Sequence, residues 1–320
     1  MGFALEKDEP FSSAVTRIAV EQIDLALNNI SAPSQNLSKS IHATRQCLKR
    51  IRALLALARD ELGDKVFAHE WACYRNAGRL LAGGRDAAVA VETFDALVSR
   101  FSEELPEEPF LRERSFLVDR RDARLNAMVE HEAALTKVSG MLVSARERVP
   151  NWPIKSAGFK AIRKGVRRSY RAGREDLRTV VRDPTPTNFH AWRRPVKVLW
   201  HQLQILTPIW PVVLHAHAEE LHALSDRLNA NHDLDVLRHT GIWSQVEVPP
   251  GERAALFSLI DRRCREIETL ALPLGERFYT ERPSRFIERL ESYWKTWRHR
   301  GREGETVSDS GRGLAASTGT

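Results

Sequence analysis

The stretch Ser40-Ile41-His42-Ala43-Thr44-Arg45-Gln46-Cys47-Leu48-Lys49-Arg50-Ile51-Arg52 constrains the fold more than any other part of the chain. Its apolar residues, with Leu55 beyond them, recur at helical spacing and make one stripe. At about 100° per residue, His42, Arg45, Lys49 and Arg52 fall within an arc of roughly 80°, each a turn or so above the last. A helix built this way buries one face and offers a ladder of cationic donors on another. The chain then does something similar again. Asn188-Phe189-His190-Ala191-Trp192-Arg193-Arg194-Pro195-Val196-Lys197 repeats His-x-x-Arg-x-x-x-Lys at a shift of 148, followed by apolar Val198-Leu199-Trp200. Gly84-Arg85-Asp86-Ala87-Ala88-Val89 aligns with Asn231-His232-Asp233-Leu234-Asp235-Val236 at a shift of 147. Two blocks that keep nearly one offset predict two pseudo-equivalent helical halves.

The rest reads as helices between short breaks, with no strand or hairpin signal. Helices are expected over 11–30, 37–62 (closed by Gly63-Asp64), 64–82, from Arg85-Asp86 through Val98, and as one long element over 111–148. A Pro- and Glu-rich turn spans 103–109, and Pro150-Asn151-Trp152-Pro153 marks the midpoint. The second ladder helix is expected to start near Phe189, capped by Thr187 or Asn188, so that Pro195 sits in its first turns. Further helices follow over 212–230, from Asn231-His232-Asp233, over 252–270 and over 275–299. Residues 1–10 read as a flexible N-terminus. Residues 300–320, rich in Gly, Ser and Thr, read as a disordered tail.

Between these halves lies an unusual charge pattern. From Lys155 to Arg174 there are eight basic residues (Lys155, Lys160, Arg163, Lys164, Arg167, Arg168, Arg171, Arg174) and no acidic one. Lys160, Arg163, Arg167, Arg171 and Arg174 share an arc of roughly 80°. Like charges a turn apart cost a few tenths of a kcal/mol each, so an uncompensated run points to an anion-binding face. The competing reading is pairing with acidic segments elsewhere, such as Glu103 to Glu108. The net charge of +7 and a pI near 9.5 agree with acidic partners. Arg would fork phosphate oxygens and Lys would supply a point charge, while His42 and His190 beside phosphate would be drawn toward their charged forms.

Other chemistry finds little footing. The chain carries no Gly-rich loop ending in Gly-Lys-Ser/Thr, no GxSxG and no HExxH, so no catalytic residue and no cofactor is expected. Asp86 and Asp233 read as helix-start caps. His215 and His217 fall on different sides of a helix, which argues against a metal site with His222. Three scattered cysteines favour a reducing compartment, and no run approaches 18 apolar residues. The expectation is a cytoplasmic protein without membrane association.

The His-x-x-Arg ladders, the Tyr170-Arg171-x-Gly173-Arg174 end of the central basic helix, and the Arg85-Asp86 and His232-Asp233 pairs together resemble the CHAD domain, the conserved histidine α-helical domain, over about residues 11–299. The resemblance implies an all-α fold of two pseudo-repeated antiparallel bundles, four-helix-like, with halves of about 11–150 and 151–299 around a basic central cavity or groove. It also implies non-catalytic binding of inorganic polyphosphate and association with polyphosphate granules. The candidate binding residues are His42, Arg45, Lys49, Arg50 and Arg52 of the first ladder, with Arg75 and Arg79 beyond it; Lys160, Arg163, Lys164, Arg167, Arg171 and Arg174 of the central helix; and His190, Arg193, Arg194 and Lys197 of the second ladder. Val198 and Trp200 stand where the first copy has Arg50 and Arg52, so the second half should bind less strongly. The triphosphate tunnel domain often fused to such modules has no counterpart here. Nucleic-acid binding is the alternative, disfavoured because the ladders lack exposed aromatics for stacking and have few Asn or Gln to read bases.

Overall fold

A computed structural model describes residues 2–31, 37–106, 110–156, 158–239, 243 and 249–309. Among these, regular structure is helical throughout: α1 (Phe11–Ser31), α2 (Leu37–Leu80), α3 (Gly83–Arg100), α4 (Leu111–Asn126), α5 (Met128–Arg148), α6 (Phe159–Arg182), α7 (Pro186–Leu206), α8 (Pro211–His239), α9 (Pro250–Phe278) and α10 (Pro283–Asp309), with three short 3-10 turns. No described helix is long and apolar enough to cross a membrane.

α2 is a hairpin of two arms. The chain reverses at Gly63, whose φ of 72° lies in the left-handed region that costs glycine nothing. The second arm returns along the first, so that Arg45 Nη1 donates to the carbonyl of Gly78 at 2.8 Å. The arms correspond to the two helices expected over 37–62 and 64–82.

Two apolar cores result, and neither follows the expected boundary near residue 150. The larger joins α1, α2, α5, α6, α7 and the first part of α8 to Phe286 and Leu290 of α10. The smaller gathers Phe94 and Leu97 of α3, Leu117 of α4, Leu234 and Leu237 of α8, and Leu256 and Ile260 of α9. At 29 residues each, α8 and α9 are long enough to serve both. Each core therefore draws on both halves of the sequence.

Several boundaries differ from the sequence expectation. The element expected over 111–148 is broken at Ala127, where ψ turns to 55°. α8 continues through Asn231 because that side chain, almost fully buried, donates to Glu268 Oε1 of α9 at 3.0 Å instead of capping a new helix. Asp233 is consequently inside α8 and cannot cap, whereas Asp86 does lie in the first turn of α3. α7 is capped by Thr185, whose Oγ1 accepts from the Asn188 amide at 3.4 Å. Pro195 is thus in mid-helix, where it removes one backbone hydrogen bond. Gly275 is inside α9, the last break comes near Thr280, and α10 runs on to Asp309; residues 310–320 lie outside the described residues.

The amino-terminal segment also differs from the flexible arm expected. Leu5 is buried and its amide donates to the Ile205 carbonyl at 2.9 Å. Arg17 pairs with Glu9 at 2.8 Å, and Arg298 donates to the carbonyls of Lys7 and Glu9. Residues 2–10 are tied to α1, α7 and α10.

α6 lies against α2 so closely that a Cβ on Gly165 would stand 2.2 Å from the Leu57 carbonyl oxygen. Gly140 of α5, by contrast, has nothing within 4 Å of such a Cβ. Gly165→Ala should therefore destabilise by about 1–3 kcal/mol, as overpacked cores do. Gly140→Ala should stabilise by up to about 1 kcal/mol through helix propensity alone. Denaturant midpoints of the two variants with unchanged slopes would show the contrast; a neutral Gly165→Ala would mean that α2 and α6 are not in contact there.

Candidate functional site

The first ladder is built on the first arm of α2, whose stripe of Leu48, Ile51, Leu54, Leu55 and Ala58 is buried. Turning that stripe inward leaves Arg45, Lys49 and Arg52 at its half-buried edge, and His42 exposed. Arg52 faces the returning arm. Its guanidinium lies 5.7 Å from the Trp71 ring, and its Nε is buried with no hydrogen-bond partner among the described residues. Burial, then Arg45, then Arg75 depress its pKa, so three cations from both arms share one neighbourhood with no carboxylate acting on Arg52. Arg79 is exposed in the last turn of α2. Arg50 turns away toward α1 and the amino terminus, donating to Gln22 Oε1 at 3.5 Å and lying 5.4 Å from the Phe3 ring.

The second ladder meets α8. Phe189, Trp192, Val196, Leu199 and Leu203 are buried, so Arg193 and Lys197 lie one step round the helix, stems in the core. Both heads converge on one acceptor, Asn229 Oδ1, at 2.5 Å from Arg193 Nε and 3.1 Å from Lys197 Nζ. One turn earlier, His190 Nδ1 meets His232 Nδ1 at 3.0 Å, and Arg194 Nη2 lies 3.1 Å from His190 Nε2. Since Arg194 can only donate, His190 Nε2 is the acceptor; His190 carries its proton on Nδ1 and donates to His232. That arrangement requires both rings to be neutral.

The two ladders come together in space. Burial brings the Lys197 ammonium down to about 7, helped by Arg193 and by Lys49 of the other ladder; Asp233 and Asp226 oppose this without reversing it. His232 falls to about 4, from burial and then the charges of Arg193, His190, Lys197 and Arg194. His190 and Arg193 are lowered too, burial first in each case. Gln202 Nε2 of α7 donates to the Ala53 carbonyl of α2 at 3.5 Å. Lys49 with Lys197 and Ala53 with Gln202 are separated by 148 and 149 residues, nearly the offset of the repeat. The ladder arm of α2 and α7 therefore run side by side in the same direction. The second ladder stops at Trp200 and His201, which stack with centroids 4.4 Å apart and are closed by Phe3 at 6.0 Å.

The central helix does not join this convergence. α6 buries Ile162, Val166, Tyr170 and Leu177, leaving Lys160, Arg163, Lys164, Arg167 and Arg171 exposed on the adjacent face. The run is also partly compensated. Arg168 pairs with Asp60 at 2.6 Å, Arg163 with Glu291 at 3.8 Å and Arg171 with Glu175 at 2.8 Å, while Arg174 Nε donates to the Tyr279 carbonyl at 2.9 Å. Of the acidic turn offered as a partner, Glu104 pairs with Arg262 at 2.5 Å, and Glu107 and Glu108 lie outside the described residues.

Sequence reasoning missed Asn229 altogether and took His232 and Asp233 for a helix start. The spacing of Asn229, His232 and Asp233 would have placed all three on one face had α8 been read as continuous. No group of three or more His, Cys, Asp or Glu among the described residues could hold a metal ion. The arrangement gathers Lys49, Arg193 and Lys197 into one neighbourhood, where Asp233 and Asp226 do not restore the ordinary Lys197 pKa.

No curated protein sequence matches the chain. Among solved structures, PptA from Streptomyces chartreusis is similar in fold, with a TM-score of 0.58 and 14% identity, covering 85% of this chain and 100% of PptA. The family model of the CHAD domain matches residues 20–240, a span that takes in both ladders, the central basic helix and the Asn229–His232 face of α8. The chain belongs to the CHAD family.

Proposed function

We propose that the chain binds inorganic polyphosphate, without catalysis, along the paired ladders of α2 and α7. The observation that carries this reading is Lys197: an ammonium beside Arg193 and Lys49, pulled down to about 7 first by burial and then by those two cations, which Asp233 and Asp226 do not offset. Folding tolerates such a group at a cost, and a polyanion lying between the helices relieves it. Side-by-side ladders in register meet a flexible chain of phosphates from two sides. Arg45, Arg52 and Arg75 extend the same track toward the returning arm of α2. Cytoplasmic polyphosphate granules are the setting this reading favours. Duplex or single-stranded nucleic acid should fail to displace long-chain polyphosphate at equal phosphate concentration; efficient displacement would favour the nucleic-acid alternative.

The sign of the pH dependence follows from Lys197. Its pKa in the free protein is about 7, and adjacent phosphate raises it, so binding takes up a proton once pH exceeds that value. Affinity should be nearly flat just below pH 7 and fall as pH rises from there. Lys197→Gln should weaken binding at pH 6.5 and remove most of the fall between pH 7 and 9. A wild-type affinity independent of pH across that range would mean Lys197 does not face the ligand. The histidines act lower: His232, at about 4 in the free protein, adds a fall in affinity over the mildly acid range if phosphate recharges it.

The same residue sets binding against stability. Lowered from 10.5 to about 7 on folding, Lys197 opposes the folded state by an amount on the order of a few kcal/mol, at about 1.4 kcal/mol per pKa unit. This penalty is full below pH 7 and fades as pH approaches the unfolded value. Lys197→Met should therefore raise the unfolding midpoint at pH 7 without ligand, with a gain that shrinks toward pH 10, while lowering affinity for polyphosphate. A variant less stable than wild type at pH 7 would show that the hydrogen bond to Asn229 outweighs the charge.

A further inference from the structure

α6 separates two cationic regions. Arg167, Arg171, Arg174 and Arg178 lie within roughly 60° of one another around the helix, facing away from the core. Asp176, whose carboxyl lies in the field of Arg194 from the second ladder, projects from nearly the opposite side. The ladders are thus on the inner flank of α6 and these arginines on its outer flank.

The outer group lines a cleft rather than a flat surface. The connection from α9 to α10 folds over it, and Arg282 joins the four arginines of α6 around an open volume of about 520 Å³, with Pro283 and Ser284 at its rim. That connection is held in place. Tyr170 of α6 donates its hydroxyl toward the Glu281 carbonyl at 3.1 Å, and Arg174 holds the Tyr279 carbonyl at 2.9 Å. One carboxylate, Glu175, lines the cleft, paired with Arg171 at 2.8 Å. The first turn of α10 carries no acidic residue, so the positive end of that helix adds to the field. Among the described residues, the exposed side chains of Arg167, Arg178 and Arg282 make no ion pair or hydrogen bond.

We infer that this cleft is a second anion site, which takes a run of condensed phosphates independently of the ladders, so that one protein chain holds two segments of polyanion. The inference takes its ligand class from the proposed function but stands on different residues. Five guanidinium groups around one small volume, with Arg171 already paired to Glu175 and Arg174 Nε to the Tyr279 carbonyl, leave the forks of Arg167, Arg178 and Arg282 to match several phosphate groups at short spacing, where a single orthophosphate would occupy one or two. No aromatic side chain lines the cleft for base stacking, which disfavours a nucleic-acid segment. With binding sites on opposed flanks of α6, a long polymer can join one protein molecule to the next.

Titration calorimetry with tripolyphosphate at low salt tests this. Wild type should bind two equivalents. Arg167→Gln/Arg178→Gln/Arg282→Gln, all at exposed positions, should keep the wild-type melting curve and bind one equivalent. Lys49→Gln/Lys197→Gln should lose the other. Should the triple variant unfold, Arg282→Gln alone should weaken one of the two binding steps by about tenfold. A folded triple variant with wild-type stoichiometry and affinity overturns the inference, as does a wild type that binds one equivalent abolished by the ladder changes alone. If instead the ladder variant binds like wild type while the triple variant loses an equivalent, the ladder reading fails and the outer site stands.

Discussion

The packing of α7 between α2, α6 and α8 is the interaction on which the rest depends. Trp192, Val196, Leu199 and Leu203 are fully buried along one stripe, and each such side chain contributes about 1.5–3 kcal/mol when removed from water. That gain fixes the rotation of α7, and the rotation leaves no choice about Arg193 and Lys197. Their stems must enter the core edge and their heads must meet Asn229 on one side and the field of Lys49 on the other. The cations are brought together by apolar packing that is indifferent to their charge.

The protein offsets this repulsion only in part. Asn229 supplies one neutral oxygen to two cations, and Asp233 and Asp226 raise Lys197 less than burial, Arg193 and Lys49 lower it. Full compensation was within reach of simple substitutions, since Arg168 with Asp60 and Arg148 with Glu70, at 2.7 Å, show the chain pairing its arginines tightly elsewhere. A fully compensated Lys197 would have less to gain from an external anion. The neutral His190–His232 pair fits the same pattern: burial first, and the surrounding cations after it, disfavour charge on both rings, and an incoming anion opposes the cations' share.

The sequence carried the helices and the two ladders because periodicity and the repeated His-x-x-Arg spacing are local signals. It also carried the turn at Gly63. It could not carry the continuity of α8, because Asn231 looks like a helix stop until its partner Glu268 is known. The flexible reading of residues 2–10 failed for a similar reason: Arg298, nearly three hundred residues away, is what ties down Lys7 and Glu9. The strongest charge signal, the run in α6, was legible as a stripe but not as a location. Periodicity shows which residues share a face; only the partners of the opposite face show which way it points.

The shared spacing of the two ladders has a spatial meaning that the offset alone does not reveal. Lys49 acts on Lys197, and Ala53 accepts from Gln202, so residues separated by nearly the repeat distance are also neighbours. Had the two helices been antiparallel, only one such pair could have been close, and the ladders would have diverged from it. Running in the same direction, they keep their rungs abreast until the second is cut short. There Trp200 replaces the arginine of the first copy, and the space is filled by Trp200, His201 and Phe3. The apolar end of the second ladder is therefore a packing surface for the amino-terminal segment, and Arg50 lies over the same Phe3 ring. The asymmetry between the ladders follows from this packing: Phe3 covers one ladder end, so the cations that remain abreast are those around Lys49, Arg193 and Lys197.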